Sequence, residues 1–301
     1  MHHPDQLDLR NETEDKGQTK PGIPSGKRLL TIQDISCVGK CSLTVALPII
    51  SACKVETAVL PTAVLSNHTA FSSFSFCDLT SEIAPISEQF EKQGFDFDAI
   101  YTGYLGSFEQ LDLVGDFFKK FKKRDNLIIV DPVMGDNGKL YSGFDEKFAK
   151  SMKKLCDSAD IIMPNLTEAC FMLGTEYKED YDEKYIKDIL VELTQGGCKC
   201  ALITGVSFDK NALGVYGLDK VGNRYFSYFN KKISAAFHGT GDCFASALTG
   251  ALMRDKSIDE AVKIAADFTA GSIEATTSDE NSRRYGVNFE EMLPSLIEAV
   301  K

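Results

Sequence analysis

From Arg28 onward, short apolar runs alternate with longer amphipathic stretches, and this rhythm restricts the fold more than any other feature of the chain. Residues 29–33, 57–60, 99–102, 127–130, 161–163 and 201–204 are near-continuously apolar, the pattern of strands buried on both faces. Between them, 108–121, 146–155 and 184–193 space their apolar residues mainly three and four apart, as helices with one buried side do. Helical patterns return at 241–254, 258–276 and 289–300. A β-then-α rhythm predicts a mostly parallel sheet with helices on both faces. LGVYGL at 213–218 and RYFSYF at 224–229 flank a turn-like 219–223, which predicts an antiparallel hairpin at the sheet edge. No repeat or linker interrupts 27–301, so it reads as one three-layer α/β/α domain. Residues 1–26 are polar and charged, offer little to bury, and are expected to form a disordered tail.

A chain of 301 residues can bury a substantial core without staples. Its nine cysteines, an odd count scattered mostly through apolar stretches, therefore read as free buried thiols. With 44 acidic against 33 basic residues the net charge is −11, a field that repels a phosphate backbone and argues against nucleic acid as the main partner. No apolar run reaches the ~18 residues of a membrane span. No basic segment leads into an apolar one near residue 1, so a cytoplasmic address is expected.

Sheets of this kind bind ligands beyond the carboxyl ends of their strands. After the first strand, DISCVGKC at 34–41 imitates a phosphate loop through Gly39 and Lys40, but Asp34 replaces the first glycine and Cys41 the hydroxyl. The turn conformation and the usual magnesium ligand are both lost, so the imitation fails. G-x-G-x-x-G, G-x-S-x-G and H-E-x-x-H are absent. After the hairpin, Phe237, His238, Gly239, Thr240, Gly241 and Asp242 lead into a helix. Glycines admit a ligand close to the backbone, and a helix start directs amides at an anion. A carboxylate seated there can receive the proton of an attacking hydroxyl during phosphoryl transfer. Asp242 is the candidate, with a plain N-cap as the alternative. Further acids follow other strands: Asp131 to Asp136 read DPVMGD, and Asn165 and Glu168 stand three apart across a helix start. Such oxygens suit Mg²⁺, although Asn165 and Glu168 could equally cap their helix.

On these residues the chain from about 28 to its end resembles the ribokinase superfamily and, within it, the pyridoxal kinases. G-T-G-D at 239–242 and N-x-x-E at 165–168 carry the superfamily likeness; S-N-H-T at 66–69, T-G-Y at 102–104 and D-P-V-M-G-D at 131–136 carry the vitamin B6 branch. The resemblance implies ATP-dependent phosphorylation of the 5′-hydroxymethyl group of pyridoxal, pyridoxine and pyridoxamine. Asp242 would be the general base, with the backbone of Gly239, Thr240 and Gly241 as the anion hole. Asp131, Asn165 and Glu168 would lie at the ATP phosphates, and Asp136 and Glu168 beside Mg²⁺. Thr204 and Gly205 would touch the phosphates, with Phe237 near the adenine. Thr69 and Tyr104 would border the B6 ring, Val38 would pack on it, and Tyr141 would cover it from a flap. Relatives are generally homodimers and often require K⁺, for which no spacing here supplies a site.

Asp34 departs from the pattern, standing where many pyridoxal kinases have serine. It is expected to accept a hydrogen bond from the ring nitrogen or the phenolic substituent, with an Asx-type turn as the alternative. Thr69 as a helix cap, Tyr104 as a core ring and Tyr141 as loop packing are the plain alternatives for those three. His68 and Cys243 are expected to be structural. The nearest rival function is a hydroxymethylpyrimidine kinase of thiamine synthesis. A sugar kinase is disfavoured because 60–97 is too poor in alternating strands for a sheet lid. A non-catalytic B6-binding protein is disfavoured because a binder would need none of these acids.

Overall fold

The computed structural model describes residues 26–283 and 285–301. The expected tail lies, apart from Gly26, outside the described residues. In chain order the elements are β1 (Arg28–Ser36), α1 (Leu43–Ala52), β2 (Glu56–Leu65), β3 (Phe76–Asp78), α2 (Thr80–Gln93), β4 (Ala99–Thr102), α3 (Phe108–Phe121) and β5 (Leu127–Val130). A small hairpin of β6 (Gly135–Asp136) and β7 (Lys139–Leu140) follows, then α4 (Glu146–Cys156), β8 (Ile161–Ile162), α5 (Leu166–Leu173), α6 (Glu183–Leu193) and β9 (Cys200–Val206). The chain ends with β10 (Ala212–Asp219), β11 (Arg224–Lys231), α7 (Thr240–Met253), α8 (Ile258–Ser278), a 3₁₀ turn at Phe289–Met292 and α9 (Leu293–Ala299).

Nine strands form one sheet in the order β11-β10-β9-β8-β5-β4-β1-β2-β3. The six from β9 to β2 are parallel, whereas β10 runs antiparallel to both β9 and β11, so the expected edge hairpin is present. Side chains alternate between two buried layers, which explains the unbroken apolar runs. Leu30, Ile32, Ile100, Ile128, Ile162 and Ile203 pack with α2–α6, while Leu29, Ala99, Tyr101, Ile129, Ile161 and Leu202 pack with α1 and α7–α9. Among the described residues no helix is long and apolar enough to cross a membrane.

Three local differences from expectation have physical causes. β1 extends to Ser36 through a register shift between Gln33 and Ile35, so Asp34 lies inside the strand at a bulge rather than in the loop after it. β3 and α2 occupy 76–93; β3 is an exposed edge strand of 3 residues, too short and polar to show an apolar pattern. The terminal helix is divided at Leu293, because Pro294 fits only a helical first turn.

From β1 the chain steps outward to β2 on one side, and β4, β5, β8 and β9 then build on the other. The segments leaving the carboxyl ends of β1 and β4 diverge, opening a crevice between them.

Candidate active site

The start of α7 lies in the helical layer that also holds α1 and packs on the sheet. Gly239 precedes the helix with φ 80°, and a Cβ there would sit 1.8 Å from the Lys40 carbonyl oxygen, so only glycine allows the segment after β1 to press against α7. No side chain caps α7, which removes the N-cap reading of Asp242. The first helical bond runs from the Cys243 amide to the Gly239 carbonyl (2.9 Å). The amides of Thr240, Gly241 and Asp242 thus have no acceptor within the helix. Gly241 is exposed, and a Cβ there would meet nothing within 4 Å, so the first turn of α7 is open to solvent on that side. Asp242 keeps partial exposure, yet burial of its carboxyl pushes the pKa up to about 7. The Ser42 backbone N–H opposes that rise and the charge of Asp34 adds to it.

The acids after β5 and β8 converge on the same crevice. Burial raises the Tyr141 phenol, and the charges of Glu168, Asp136, Asp131 and Asp242 all add to the effect. Asp131 is buried and accepts no hydrogen bond from a described residue. Burial, then the charges of Glu168 and Asp242, hold its pKa well above the carboxylate range. Glu168 is differently placed: its Oε1 accepts the Met134 amide (3.0 Å) and its Oε2 the Asn165 amide (2.9 Å). Asn165 Oδ1 in turn accepts the Glu168 amide (3.0 Å), completing a capping box on α5. Asn165 Nδ2 donates to the Gly135 carbonyl (2.8 Å), so both residues brace the 131–136 segment. Burial pushes the Glu168 carboxyl up to about 8 despite its amide donors. Asp136 is exposed and accepts from Asn137. Among the described residues, no three His, Cys, Asp or Glu side chains could cage a metal unaided.

Asn137 (φ 51°) and Gly138 (φ 73°) turn β6 into β7, the double positive-φ turn that Asn-Gly favours. The Gly138 amide donates to Thr167 Oγ1 (2.9 Å), tying the hairpin to α5. Tyr141 follows, 46% exposed, its amide donating to the Met134 carbonyl (2.9 Å). Thr204 bridges Asn165 on β9; Gly205 (φ 73°) is the extra residue where β9 slips against β10, exposed beside open space. Phe237 is half-buried against the α7–α8 layer, and its carbonyl accepts Thr240 Oγ1 (3.3 Å).

On the opposite side, Asp34 is buried and accepts the Ser36 hydroxyl (3.2 Å); burial raises its pKa. Burial also raises the Tyr104 phenol, and the charge of Asp34 contributes. The Tyr104 ring packs on Phe144 with centroids 5.6 Å apart. Val38 is 50% exposed and exchanges backbone bonds with Ser66 and His68 (3.1 Å each). Thr69 is exposed in a turn and caps no helix. His68 uses both ring nitrogens structurally, Nδ1 accepting the Ala70 amide (3.1 Å) and Nε2 lying 2.9 Å from the Tyr285 carbonyl. Lys40 turns away to Glu290 (2.7 Å) and Asn288 (3.2 Å), consistent with the failed phosphate-loop imitation.

The structure adds residues that no motif announces. Ser42, at φ 51°, heads α1, and its polar groups lower the pKa of both Asp34 and Asp242. The buried Tyr101 hydroxyl, Gln33 Oε1 and Ser246 Oγ have no partner, and Tyr101 lies in the field of Asp131 and Asp242. In the sequence these are ordinary strand and helix residues; only the positive φ of Ser42 and the close packing beneath the crevice mark them.

Sheet order, crevice and acid-bearing helix start define the class as ribokinase-like small-molecule kinases. The phosphomethylpyrimidine kinase family model matches residues 47–286. A pyridoxal kinase of Dictyostelium discoideum is 30% identical over 243 residues, covering 76% of this chain and 79% of the relative. A Bacteroides thetaiotaomicron protein assigned as a phosphomethylpyrimidine kinase, crystallised with pyridoxal, superimposes with a TM-score of 0.86 at 41% identity, covering 90% of this chain and 96% of that one. The pyridoxal kinase of Lactobacillus plantarum superimposes with a TM-score of 0.83 at 28% identity, covering 90% and 97%. The chain belongs to this family of ribokinase-like kinases, to which it is joined through pyridoxal kinase relatives.

Proposed function

We infer that this chain is a pyridoxal kinase, transferring the terminal phosphoryl group of ATP to the 5′-hydroxymethyl oxygen of pyridoxal, pyridoxine or pyridoxamine. One observation carries the reading: Asp242 stands in the first turn of α7, whose opening amides no side chain caps, and burial raises its carboxyl to about 7 within the field of Asp34. A base poised near neutrality can both take the hydroxyl proton and release it afterwards. As the oxygen attacks phosphorus, the proton passes to Asp242, while the amides at Gly239, Thr240 and Gly241 receive the transferring group. Thr204 and Gly205 would accept the remaining phosphates, and Phe237 the adenine. Asp34, Val38, Thr69 and Tyr104 would line the ring, with Tyr141 excluding water.

The unpartnered, charge-crowded Asp131 suits a cation such as Mg²⁺, which keeps waters and phosphate oxygens as ligands. Asp131 and Asp136 would hold it, with Glu168 acting behind them, and the ion would neutralise charge on the phosphates. A cytoplasmic address and a homodimer complete the reading on the strength of the sequence and the resemblance.

The test is a coupled ATP-consumption assay with each B6 vitamer and with hydroxymethylpyrimidine. Turnover of the vitamers is expected, falling about 10³-fold in Asp242→Asn with nucleotide binding retained. Turnover of the pyrimidine alcohol alone would favour the second reading, to which the family model's description points. Vitamer binding without any ATP consumption would leave a non-catalytic binder.

A further inference from the structure

Lys40 belongs to the failed phosphate-loop imitation, and the chemistry proposed above gives it no task. Its surroundings are nonetheless crowded. On one side its carbonyl oxygen lies against Gly239, where a Cβ would stand 1.8 Å away; on the other its Cβ lies against Gly286, where an added Cβ would stand 2.4 Å away. Past Gly286 the side chain reaches the C-terminal segment: Nζ donates to Glu290 Oε2 (2.7 Å) and to Asn288 Oδ1 (3.2 Å), and lies 5.6 Å from the centre of the Phe289 ring. That segment is itself anchored to the end of α8, since the Asn288 amide donates to Thr276 Oγ1 (2.7 Å) and Asn288 Nδ2 to Asp279 Oδ2 (3.1 Å). Lys40 thus joins a fixed point near the C-terminus to the residue that opens α7. Backbone atoms packed this closely leave no slack, so a shift of Lys40 is passed on to Gly239.

We propose that Lys40 is a positioning residue: its bonds to Asn288 and Glu290 hold the segment after β1 against Gly239, and so set where the amides of Gly239, Thr240 and Gly241 lie. The proposal rests on the pyridoxal kinase reading and adds to it a residue outside the G-T-G-D, N-x-x-E and S-N-H-T runs. In that reading the three amides receive the transferring group, so their misplacement acts on the transition state, lowering kcat and leaving KM nearly unchanged. A displacement of about 1 Å can reduce turnover about 10²-fold. The Glu290 side chain is 52% exposed, and a pair so open to solvent adds little to stability, which separates a positioning effect from unfolding.

The experiment removes each end of the link in turn. Lys40→Met keeps the stem beside Gly286 and loses the charge; it is expected to melt within about 3 °C of the parent. Its kcat is expected to fall about tenfold, with KM for ATP and for pyridoxal within about twofold of the parent. Lys40→Arg restores a charged donor and is expected to recover kcat to within about threefold of the parent. Glu290→Ala, at an exposed side chain, is expected to lower kcat severalfold, and the double variant with Lys40→Met to be no worse than Lys40→Met alone. The proposal is overturned if Lys40→Met retains the parental kcat, if its loss of kcat accompanies a marked fall in melting temperature, if Lys40→Arg is equally impaired, or if the effects of Lys40→Met and Glu290→Ala multiply. A raised KM for ATP at unchanged kcat would also overturn it, marking Lys40 as a phosphate-binding lysine. Failure of the unaltered chain to turn over pyridoxal would overturn the underlying reading instead.

Discussion

Asp242 trades stability for reactivity. Its folded pKa, about 7, lies above the ordinary carboxylate value of 3.8, so the folded protein holds this proton more tightly than the unfolded chain. The associated stability is complete below pH 3.8 and is lost as pH rises through about 7. Asp242→Asn should therefore raise the melting temperature at pH 8 and change it little at pH 4, while abolishing turnover. In the parent enzyme kcat/KM should fall on the acid side with an apparent pKa near 7, as the base becomes protonated. A profile flat from pH 5 to 8 would exclude Asp242 as the base. Asp242 was legible in the sequence as the candidate base because two flanking glycines and a helix start are local features. The positive φ of Ser42 was not, since no neighbouring residue in the sequence signals it.

At the scale of elements, the β6–β7 hairpin links the 131–136 segment to Tyr141. Its sequence signal, Asn137–Gly138, is a turn signature, but the strands it joins have only 2 residues each, too short for any periodicity to show. A Cβ at Gly138 would meet the Tyr177 ring at 2.8 Å, in a backbone region that already disfavours L-residues. Gly138→Ala should lower stability by about 1–2 kcal/mol and displace Tyr141. The expected signature is a severalfold rise in KM for ATP and vitamer with a smaller change in kcat. Denaturant unfolding and steady-state kinetics together would check it. The N-x-x-E pair illustrates how two readings can coincide: Asn165 and Glu168 form the capping box that local rules predict, and the same bonds hold the 131–136 segment at the crevice.

Across the whole molecule, chemistry and stability occupy opposite ends of the sheet. Beyond the amino ends of the strands, the buried Asp160 accepts the Ile128 amide (2.7 Å) and pairs with Lys122 (2.5 Å) and Lys199 (2.8 Å). Burial alone would raise its pKa, but the hydrogen bonds from both lysines and from Ile128 hold it below the ordinary value. Its stabilisation is present above pH 3.8 and disappears as pH falls through the depressed pKa. Asp160→Ala should cost about 2 kcal/mol, measured by denaturant unfolding at pH 7, with kcat at permissive temperature within about twofold of the parent. The sequence by itself determined the layer architecture, the hairpin and the motif residues, because burial on both faces and glycine-flanked helix starts are written into neighbouring positions. Only the tertiary structure decided that Asp34 lies within a strand, that Ser42 takes a positive φ, and that the charges of Asp131, Asp136, Glu168 and Asp242 all reach Tyr141. Those facts depend on contacts between residues far apart in the chain, and no local pattern encodes them.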